Sequence, residues 1–394
     1  MERIDQAIIL AAGEGQRLRP FTSLRPKVML PIANKPILLY IVEALAQAGV
    51  RNVIMVIGYR KGEIQDCFGS GKNFGVDIKY IIQKTQIGTA DALKQARDMA
   101  NPCFLVLPGD NIIEVDTILP LLTTPTNTIV VKSQENVSQY GVVIVEQGKV
   151  TRIVEKPEAK IGYLVNTGIY ALNRDIFPFT EQETNLPQAI QKMIDQGYNF
   201  TALETKATWL DAVYPWDILL LNEMMLTRIS ASTGGIVEGG TTIKGKASIG
   251  KGTTIRANSY LAGPIAIGDN CEIGPSTCIF PFTSIGDNVI ISPFCQIKNS
   301  VIGNQVTIGS NCNIQDSIIA PGSTIGNGFI TRSREITVTI SGESHRVKLG
   351  ALIGDYCGLE DNIVIYAGIS LGVGTRIKGM KIITEDIPGG SLVF

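Results

Sequence analysis

Between Leu10 and Lys35 the chain reads LAAGEGQRLRPFTSLRPKVMLPIANK, with glycines, arginines and lysines set between prolines. Gly13 and Gly15 admit backbone shapes and close approaches that a Cβ would block, so their N–H groups can turn inward to cradle an anion. Arg17, Arg19, Arg25 and Lys27 follow closely, and Pro20, Pro26 and Pro31 keep the segment extended. Such a loop suits phosphates, whereas Gly-x-Gly alone would equally describe a turn before a solvated basic loop. Two carboxylates could complete the chemistry: Asp110 in Pro108-Gly109-Asp110 and Asp211 in Trp209-Leu210-Asp211. Mg²⁺ takes one or two carboxylates together with phosphate oxygens and water, so this pair suffices if the fold brings it together. Taken singly, each Asp reads as a turn residue or a helix cap.

Further polar groups fit recognition. The stretch from Gln83 to Ala90 places an amide at a strand end and opens a helix at Gly88-Thr89, so an amide and free helix N–H groups face one crevice. Tyr140-Gly141, Glu155-Lys156-Pro157 and Asn166-Thr167-Gly168 supply a carboxylate and an amide, which together accept from and donate to hydroxyls.

The elements that must position these groups follow from the apolar pattern. Residues 7–12 form a short apolar run bounded by glycine, the signature of a buried strand that leaves directly into the loop. Helix and strand then alternate, with helices expected over 36–48, 61–68 and 89–100 and strands over 52–57, 77–82 and 103–107. This alternation predicts a Rossmann-like α/β domain with a mainly parallel sheet, whose ligands sit outside the carboxyl ends of the strands. From 127 to 172 the pattern turns strand-rich, with a hairpin of 141–146 and 150–155 across Gln147-Gly148.

After the helix predicted over 215–227 the composition changes, and Gly234-Gly235 marks the boundary between expected domains 1–233 and 236–394. Ile-Gly pairs such as Ile249-Gly250, Ile267-Gly268, Ile285-Gly286 and Ile302-Gly303 recur at steps of six or of seventeen to eighteen. Six residues make one flat side and its turn, so the pattern predicts a hexapeptide-repeat left-handed parallel β-helix with stacked inward Ile ladders. The longer step between Gly326 and Gly354 marks an insertion, in which 335–340 and 345–349 read as a projecting hairpin around Ser341-Gly342. Cys271, Cys295, Cys312 and Cys357 read as part of the inward ladder. His345, the only histidine, falls in the hairpin and is expected to be exposed and structural.

Composition narrows the function classes. At 394 residues two domains are natural, and a net charge of -1 argues against nonspecific nucleic-acid binding. No apolar run is long enough to span a bilayer, and Glu14 and Arg17 interrupt any leader pattern, so a cytoplasmic protein without membrane partners is expected. Seven cysteines without metal or disulfide spacing fit a reducing compartment.

The string Leu10-Ala11-Ala12-Gly13-x-Gly15-x-Arg17-Leu18, with Pro26-Lys27 and Leu30-Pro31, resembles the signature of sugar-1-phosphate nucleotidylyltransferases, and it fits neither a Rossmann fingerprint nor a Walker loop. With the β-helix, the chain resembles the bifunctional N-acetylglucosamine-1-phosphate uridylyltransferase/glucosamine-1-phosphate acetyltransferases, especially archaeal relatives. The resemblance implies Mg²⁺-dependent transfer of a nucleotidyl group from an NTP to a sugar 1-phosphate. Arg17, Lys27 and Asp110 would be catalytic, and Asp110 and Asp211 would hold the metal. Leu10, Ala12, Gly13, Gly15, Gln83, Gly88 and Thr89 would bind the nucleotide, and Gly141, Glu155, Lys156 and Asn166 the sugar phosphate. It points to UTP or dTTP with N-acetylglucosamine- or glucose-1-phosphate. Guanylyl or adenylyl transfer, a retained acetyltransferase and a non-catalytic assembly subunit are the alternatives. Assembly as a homotrimer, or a dimer of trimers, through the β-helix is expected. Acetyl-CoA is a further candidate partner, but the stretch from Ser310 to Asp316 lacks the His that the family's acetyltransferase uses, so a second chemistry is not expected there.

Overall fold

The computed structural model describes residues 3–394 except 136, 138, 139, 158–160, 341 and 342. Contacts divide the chain into two units: Met1–Glu14, Pro26–Met29 and Pro36–Asp211 in the first, and Gly15–Arg25, Leu30–Lys35 and Ala212–Phe394 in the second. The division is therefore not a single cut near Gly234, because the helix Pro215–Thr227 and two pieces of the basic loop group with the C-terminal coils.

The first unit is built on one sheet of nine strands: β1 (Gln6–Ala11), β2 (Asn52–Ile57), β3 (Asp77–Ile82), β4 (Cys103–Pro108), β5 (Thr128–Ser133), β6 (Gly141–Glu146), β7 (Lys149–Glu155), β8 (Leu164–Asn173) and β9 (Thr201–Glu204). Their order is β3-β2-β1-β4-β8-β5-β9-β7-β6. The β3-β2-β1-β4 side is parallel throughout, as the alternating pattern predicts, whereas β8 runs antiparallel to both neighbours and makes the far side mixed. Alternate residues of β1 feed different cores. Ala7, Ile9 and Ala11 pack with Leu38, Ile41 and Leu45 of the helix Ile37–Ala48, and Ile8 packs with Leu93 and with Ile190 and Met193 of the helix Leu186–Asp195. Period-two burial on both faces is what turns an unbroken apolar run into a central strand. The first helix stops at Gly49, whose left-handed φ of +81° lets its N–H close on Ala46 and Leu45 carbonyls. The third helix is shorter than expected: Thr89–Gln95 gives way to a 3₁₀ turn at Arg97–Met99. The β6–β7 hairpin turns at Gln147 (φ 51°) and Gly148 (φ 78°), two positive angles that match the twist of its strands.

In the second unit, short strands stack into three parallel sheets of eight, nine and eight strands, which is a β-helix. One ladder runs Ile249, Ile267, Ile285, Ile302, Ile319, Ile353 and Leu371 in register, and a second runs Ile255, Ile273, Ile291, Ile308, Ile325, Leu359 and Ile377. Stacking like on like buries each ladder almost completely, which is why the repeat needs its neighbours to be stable. The pairing Ile319↔Ile353 steps over the insertion, so the coil continues beneath it. The insertion is the antiparallel hairpin Arg334–Ile340 with Glu343–Leu349; its expected turn, Ser341-Gly342, lies outside the described residues. Cys271, Cys295, Cys312 and Cys357 are buried in the coils. His345 departs from expectation. It is half-buried, with its ring centroid 4.7 Å from that of Tyr214 and 5.4 Å from that of Trp216, because the hairpin lies against the start of the helix Pro215–Thr227.

The same unit fastens two pieces of the basic loop. Phe21, Leu30 and Ile32 are buried, and Phe21 and Leu30 line one small cavity with Ile218, Val301, Ile318 and Ile319. The fully buried Asn222 accepts from Ala33 N–H (2.9 Å) and donates to the Phe282 carbonyl (2.9 Å). Among the described residues no helix is long and apolar enough to cross a membrane.

Candidate active site

A cleft of about 660 Å³ opens in the first unit at the carboxyl ends of β1 and β4. Of the residues singled out by sequence, Leu10, Ala12, Gly13, Lys27, Gln83, Gly88, Thr89, Asp110, Gly141, Glu155, Asn166 and Asp211 line it. Gly15 and Arg17 lie on the segment that groups with the second unit, where Gly15 adopts φ 74° and Arg17 is exposed on the turn Gln16–Leu18. Lys156 is exposed and is not in the cleft wall; its backbone N–H donates to the Tyr140 carbonyl (3.2 Å).

The local backbone explains why these groups converge. β4 ends at Pro108, and Gly109 N–H donates to the Leu10 carbonyl (2.9 Å), tying the end of β4 to that of β1. A Cβ at Gly109 would meet Ala11 Cβ and Leu10 O at 2.9 Å, so glycine permits the approach that delivers Asp110 beside the loop. Lys27 Nζ lies 2.5 Å from Asp110 Oδ2, with the lysine 15% and the aspartate 33% exposed. A short antiparallel pair, Asn111–Ile113 with Trp209–Asp211, sets Asp211 opposite Asn111, one residue from Asp110. With the Asn111 amide turned to satisfy both neighbours, its nitrogen donates to Asp110 Oδ1 (2.8 Å) and its oxygen accepts from Trp209 Nε1 (2.7 Å). Tyr140 stands edge-on to Trp209, 5.2 Å between centroids, and donates to Asp211 Oδ1 at 3.4 Å. At Gly13 a Cβ would meet no protein atom, so the glycine leaves the cleft wall open to a ligand.

At the amide end, Gln83 is buried and its Nε2 donates to the Gly88 carbonyl (3.1 Å) and to Asp91 Oδ2 (2.8 Å). Both donors are thus spent inside the protein. This narrows the sequence expectation of a freely reading amide to its carbonyl oxygen alone. Thr89 Oγ1 accepts from Leu186 N–H (2.9 Å), capping the helix Leu186–Asp195 rather than standing free. A Cβ at Gly88 would meet the Thr184 carbonyl at 2.2 Å, so these two loops fit only with glycine there.

At the other end, a Cβ on Gly141 would meet Glu155 Oε1 at 2.6 Å, so glycine makes room for the carboxylate. The surrounding protein raises the Glu155 pKa by desolvation, and the neighbouring Lys156 charge partly opposes this. Asn166 donates to Tyr170 Oη (2.8 Å) and accepts from Gly168 N–H (3.1 Å), within an irregular stretch of β8. Burial also pushes the Tyr170 phenol upward, so it stays protonated.

Sequence reading gave no site role to Asn185 and Gln188, nor to Gln86, Tyr140 and Trp209 beyond quoting the motifs that contain them, and all five line the cleft. Asn185-Leu186-Pro187 carries the one available signal, an Asn at the N-cap position with Pro just inside the helix. Among the described residues no three metal-binding side chains gather, so a metal here would draw on Asp110 and Asp211 and on ligand oxygens.

Known proteins share this organisation. Residues 6–223 match the family model described as Nucleotidyl transferase, and residues 261–353 match one described as GMPPB C-terminal domain. A Bifunctional protein GlmU of Methanococcus maripaludis is 32% identical over 98% of this chain and 97% of its own. A bifunctional sugar-1-phosphate nucleotidylyltransferase/acetyltransferase of Sulfurisphaera tokodaii is 31% identical over 98% of each. A solved UDP-glucose pyrophosphorylase with UDP-glucose overlays 57% of this chain and 100% of its own, with a TM-score of 0.52 at 23% identity, which shows the shared fold.

Proposed function

Since the chain belongs to the nucleotidyl transferase family and is a sugar-1-phosphate nucleotidylyltransferase, we propose that its cleft uses Mg²⁺ and works on a uridylyl or thymidylyl donor with N-acetylglucosamine- or glucose-1-phosphate. Nucleotidyl transferases generally use a divalent metal. The observation that carries the reading is the Lys27–Asp110 contact of 2.5 Å, with Asp211 one residue across the adjoining pair of strands.

A phosphate monoester is already an anion at neutral pH, so attack of the sugar phosphate oxygen on the α-phosphorus needs no general base. Catalysis is then positioning and charge neutralisation. The Lys27 ammonium is the group for the oxygens that gather charge between nucleophile and α-phosphorus. The two partly open carboxylates suit Mg²⁺, which takes few protein ligands and keeps waters and phosphate oxygens. Bound there, the ion would be held by Asp110 and Asp211 and would screen the phosphates. The Gly13 backbone and, from the sequence pattern, Gly15 and Arg17 serve the departing phosphates. Leu10 and Ala12 form the wall under the nucleoside.

The base preference rests on Gln83. With both its N–H donors engaged, only its carbonyl remains to meet a base, and the imide N–H of uracil or thymine is a suitable donor. Guanine also offers a ring N–H, so guanylyl transfer is the second reading. For the sugar, Glu155 and Asn166 serve the hydroxyls and Gly141 gives close approach, whereas Lys156, expected from the resemblance to meet the phosphate, is exposed outside the cleft wall. Assembly through the coils as a trimer, or a dimer of trimers, belongs to the same reading. Pyrophosphate release measured over a matrix of NTPs and sugar 1-phosphates with Mg²⁺ tests it. Turnover with UTP or dTTP is expected, and silence across the whole matrix would overturn it.

A further inference from the structure

Gln83 is tied to the helix that follows it by an acidic side chain that is not in the cleft wall, Asp91. The Gln83 backbone N–H donates to the Ile57 carbonyl (2.8 Å), and its side chain is buried. Nε2 gives one proton to the Gly88 carbonyl (3.1 Å) and the other to Asp91 Oδ2 (2.8 Å). Asp91, in the first turn of the helix Thr89–Gln95, is itself held from the next turn, where Gln95 Nε2 donates to its Oδ1 at 3.3 Å. All of these residues belong to the first unit.

An amide turned over about its last bond keeps its shape and exchanges oxygen for NH₂, so its neighbours decide which atom a ligand meets. Neither a carbonyl nor a carboxylate donates. Turned over, Gln83 would set its oxygen against two acceptors and leave buried polar atoms unpaired, a costly state away from water. A hydrogen bond to a charged group is roughly twice as strong as a neutral one, so Asp91 is the firmer of the two partners. A carboxylate in the first turn also favours the helix end, but that effect needs no partner on Gln83.

This orientation sorts bases by one atom. Uracil, thymine and guanine present a ring N–H, whereas cytosine and adenine present at the matching place a bare ring nitrogen that accepts. A carbonyl oxygen bonds the first kind and repels the second. We infer that Asp91 is a specificity-determining residue of this transferase: by fixing the Gln83 amide so that its oxygen is left for the nucleotide, it selects bases with a ring N–H and rejects cytosine and adenine. It acts as a positioning residue, through Gln83 and without touching the base. This selection rests on the proposed contact between Gln83 and the base.

Base discrimination tests it, read as the ratio of kcat/KM for UTP to that for CTP with Mg²⁺ and N-acetylglucosamine- or glucose-1-phosphate. These nucleotides match in size and differ in their donor pattern. Both constants come from one protein sample, so an unfolded fraction cancels from the ratio. The pair becomes dTTP against dCTP where the deoxynucleotide is the better donor, and GTP against ATP where guanylyl transfer prevails. The wild type is expected to favour the base with the ring N–H. Asp91→Asn keeps the side chain's shape and offers an NH₂ to a turned Gln83, so the ratio is expected to fall at least ~10-fold, mainly through better use of CTP. With UTP, kcat should stay within about threefold, because no group that meets the reacting phosphates has changed. Asp91→Ser, which withdraws the carboxylate, should lower the ratio severalfold and carries the test if Asp91→Asn does not fold. A wild type that favours CTP, or a folded Asp91 variant with the wild-type ratio, overturns the inference. Gln83→Ala separates the two ideas. Wild-type discrimination in that variant refutes the contact between Gln83 and the base, whereas lost discrimination there with the wild-type ratio in Asp91→Asn refutes only the part given to Asp91.

Discussion

Lys27 Nζ sits 2.5 Å from Asp110 Oδ2, although the two residues come from a loop and from the end of a different strand. The contact joins a cation to the best-placed carboxylate in the cleft, and Asn111 holds the second oxygen of that carboxylate at 2.8 Å. Each partner keeps the other in the geometry that charged substrates would meet.

Lys27→Ala and Asp110→Asn are each expected to lower kcat by at least ~100-fold while the protein stays folded. Both side chains are partly open to the cleft, so neither change leaves a deeply buried charge. Stopped-time assays with Mg²⁺ check this. Near wild-type turnover by Asp110→Asn would remove the aspartate from the metal site.

Glu155→Gln should raise KM for the sugar phosphate more than it changes kcat. Its pKa is raised in the folded protein above the ordinary 4.5, chiefly by desolvation. The folded state therefore holds this proton more tightly than the unfolded chain does. That contribution to stability is complete below the ordinary pKa and is lost as pH rises through the raised one. The Gln variant should lack this decline above pH 4.5, and because the cleft is open to solvent the difference in slope should be small. Thermal melts of both proteins across that range give the answer, and a wild-type slope in the variant would contradict the assignment.

Cutting the chain after residue 235 should give a poorly soluble, inactive fragment. Phe21 and Leu30 pack beside Val301, Ile318 and Ile319, and burial of such side chains is worth roughly 1.5–3 kcal/mol each. The cut exposes them and strips Asp355 from Arg25. A fragment that is monodisperse by light scattering and turns over at the full rate would refute this.

Acetyl transfer to glucosamine-1-phosphate is expected to be absent or very weak. Removing a proton from the sugar ammonium needs a positioned base, which typically contributes ~10²- to 10⁴-fold. In the stretch from Ser310 to Asp316 the only carboxylate, Asp316, is buried and occupied: Asn299 donates to it at 2.6 Å, Ser333 bonds its other oxygen and Lys348 lies 3.4 Å away. His345 lies against Tyr214 and Trp216, with its ring tilted to both. Thiol release from acetyl-CoA, compared among wild type, Asp316→Asn and His345→Ala, settles the point. Robust release in the wild type would contradict the expectation.

What the sequence determined on its own was whatever is local or periodic. The apolar run 7–12 into Gly13 identifies strand and loop because both cores are written into adjacent residues, and the Ile ladders name the β-helix because each coil repeats the same burial. The glycines at 15, 49 and 148 announce turns because only their backbone accepts a positive φ at no steric cost. Tertiary structure alone decided the partnerships. That Gln83 spends its donors on Asp91 and Gly88, that Thr89 caps a helix almost a hundred residues later, and that Arg25 meets Asp355 across 330 residues depend on which distant surfaces meet. Nor could spacing show that the basic loop divides its allegiance, with Lys27 in one unit and both its flanks in the other. A side chain's type states what it is able to bond, and only the packing of elements remote in sequence determines which bonds it makes and which atom is left for a ligand.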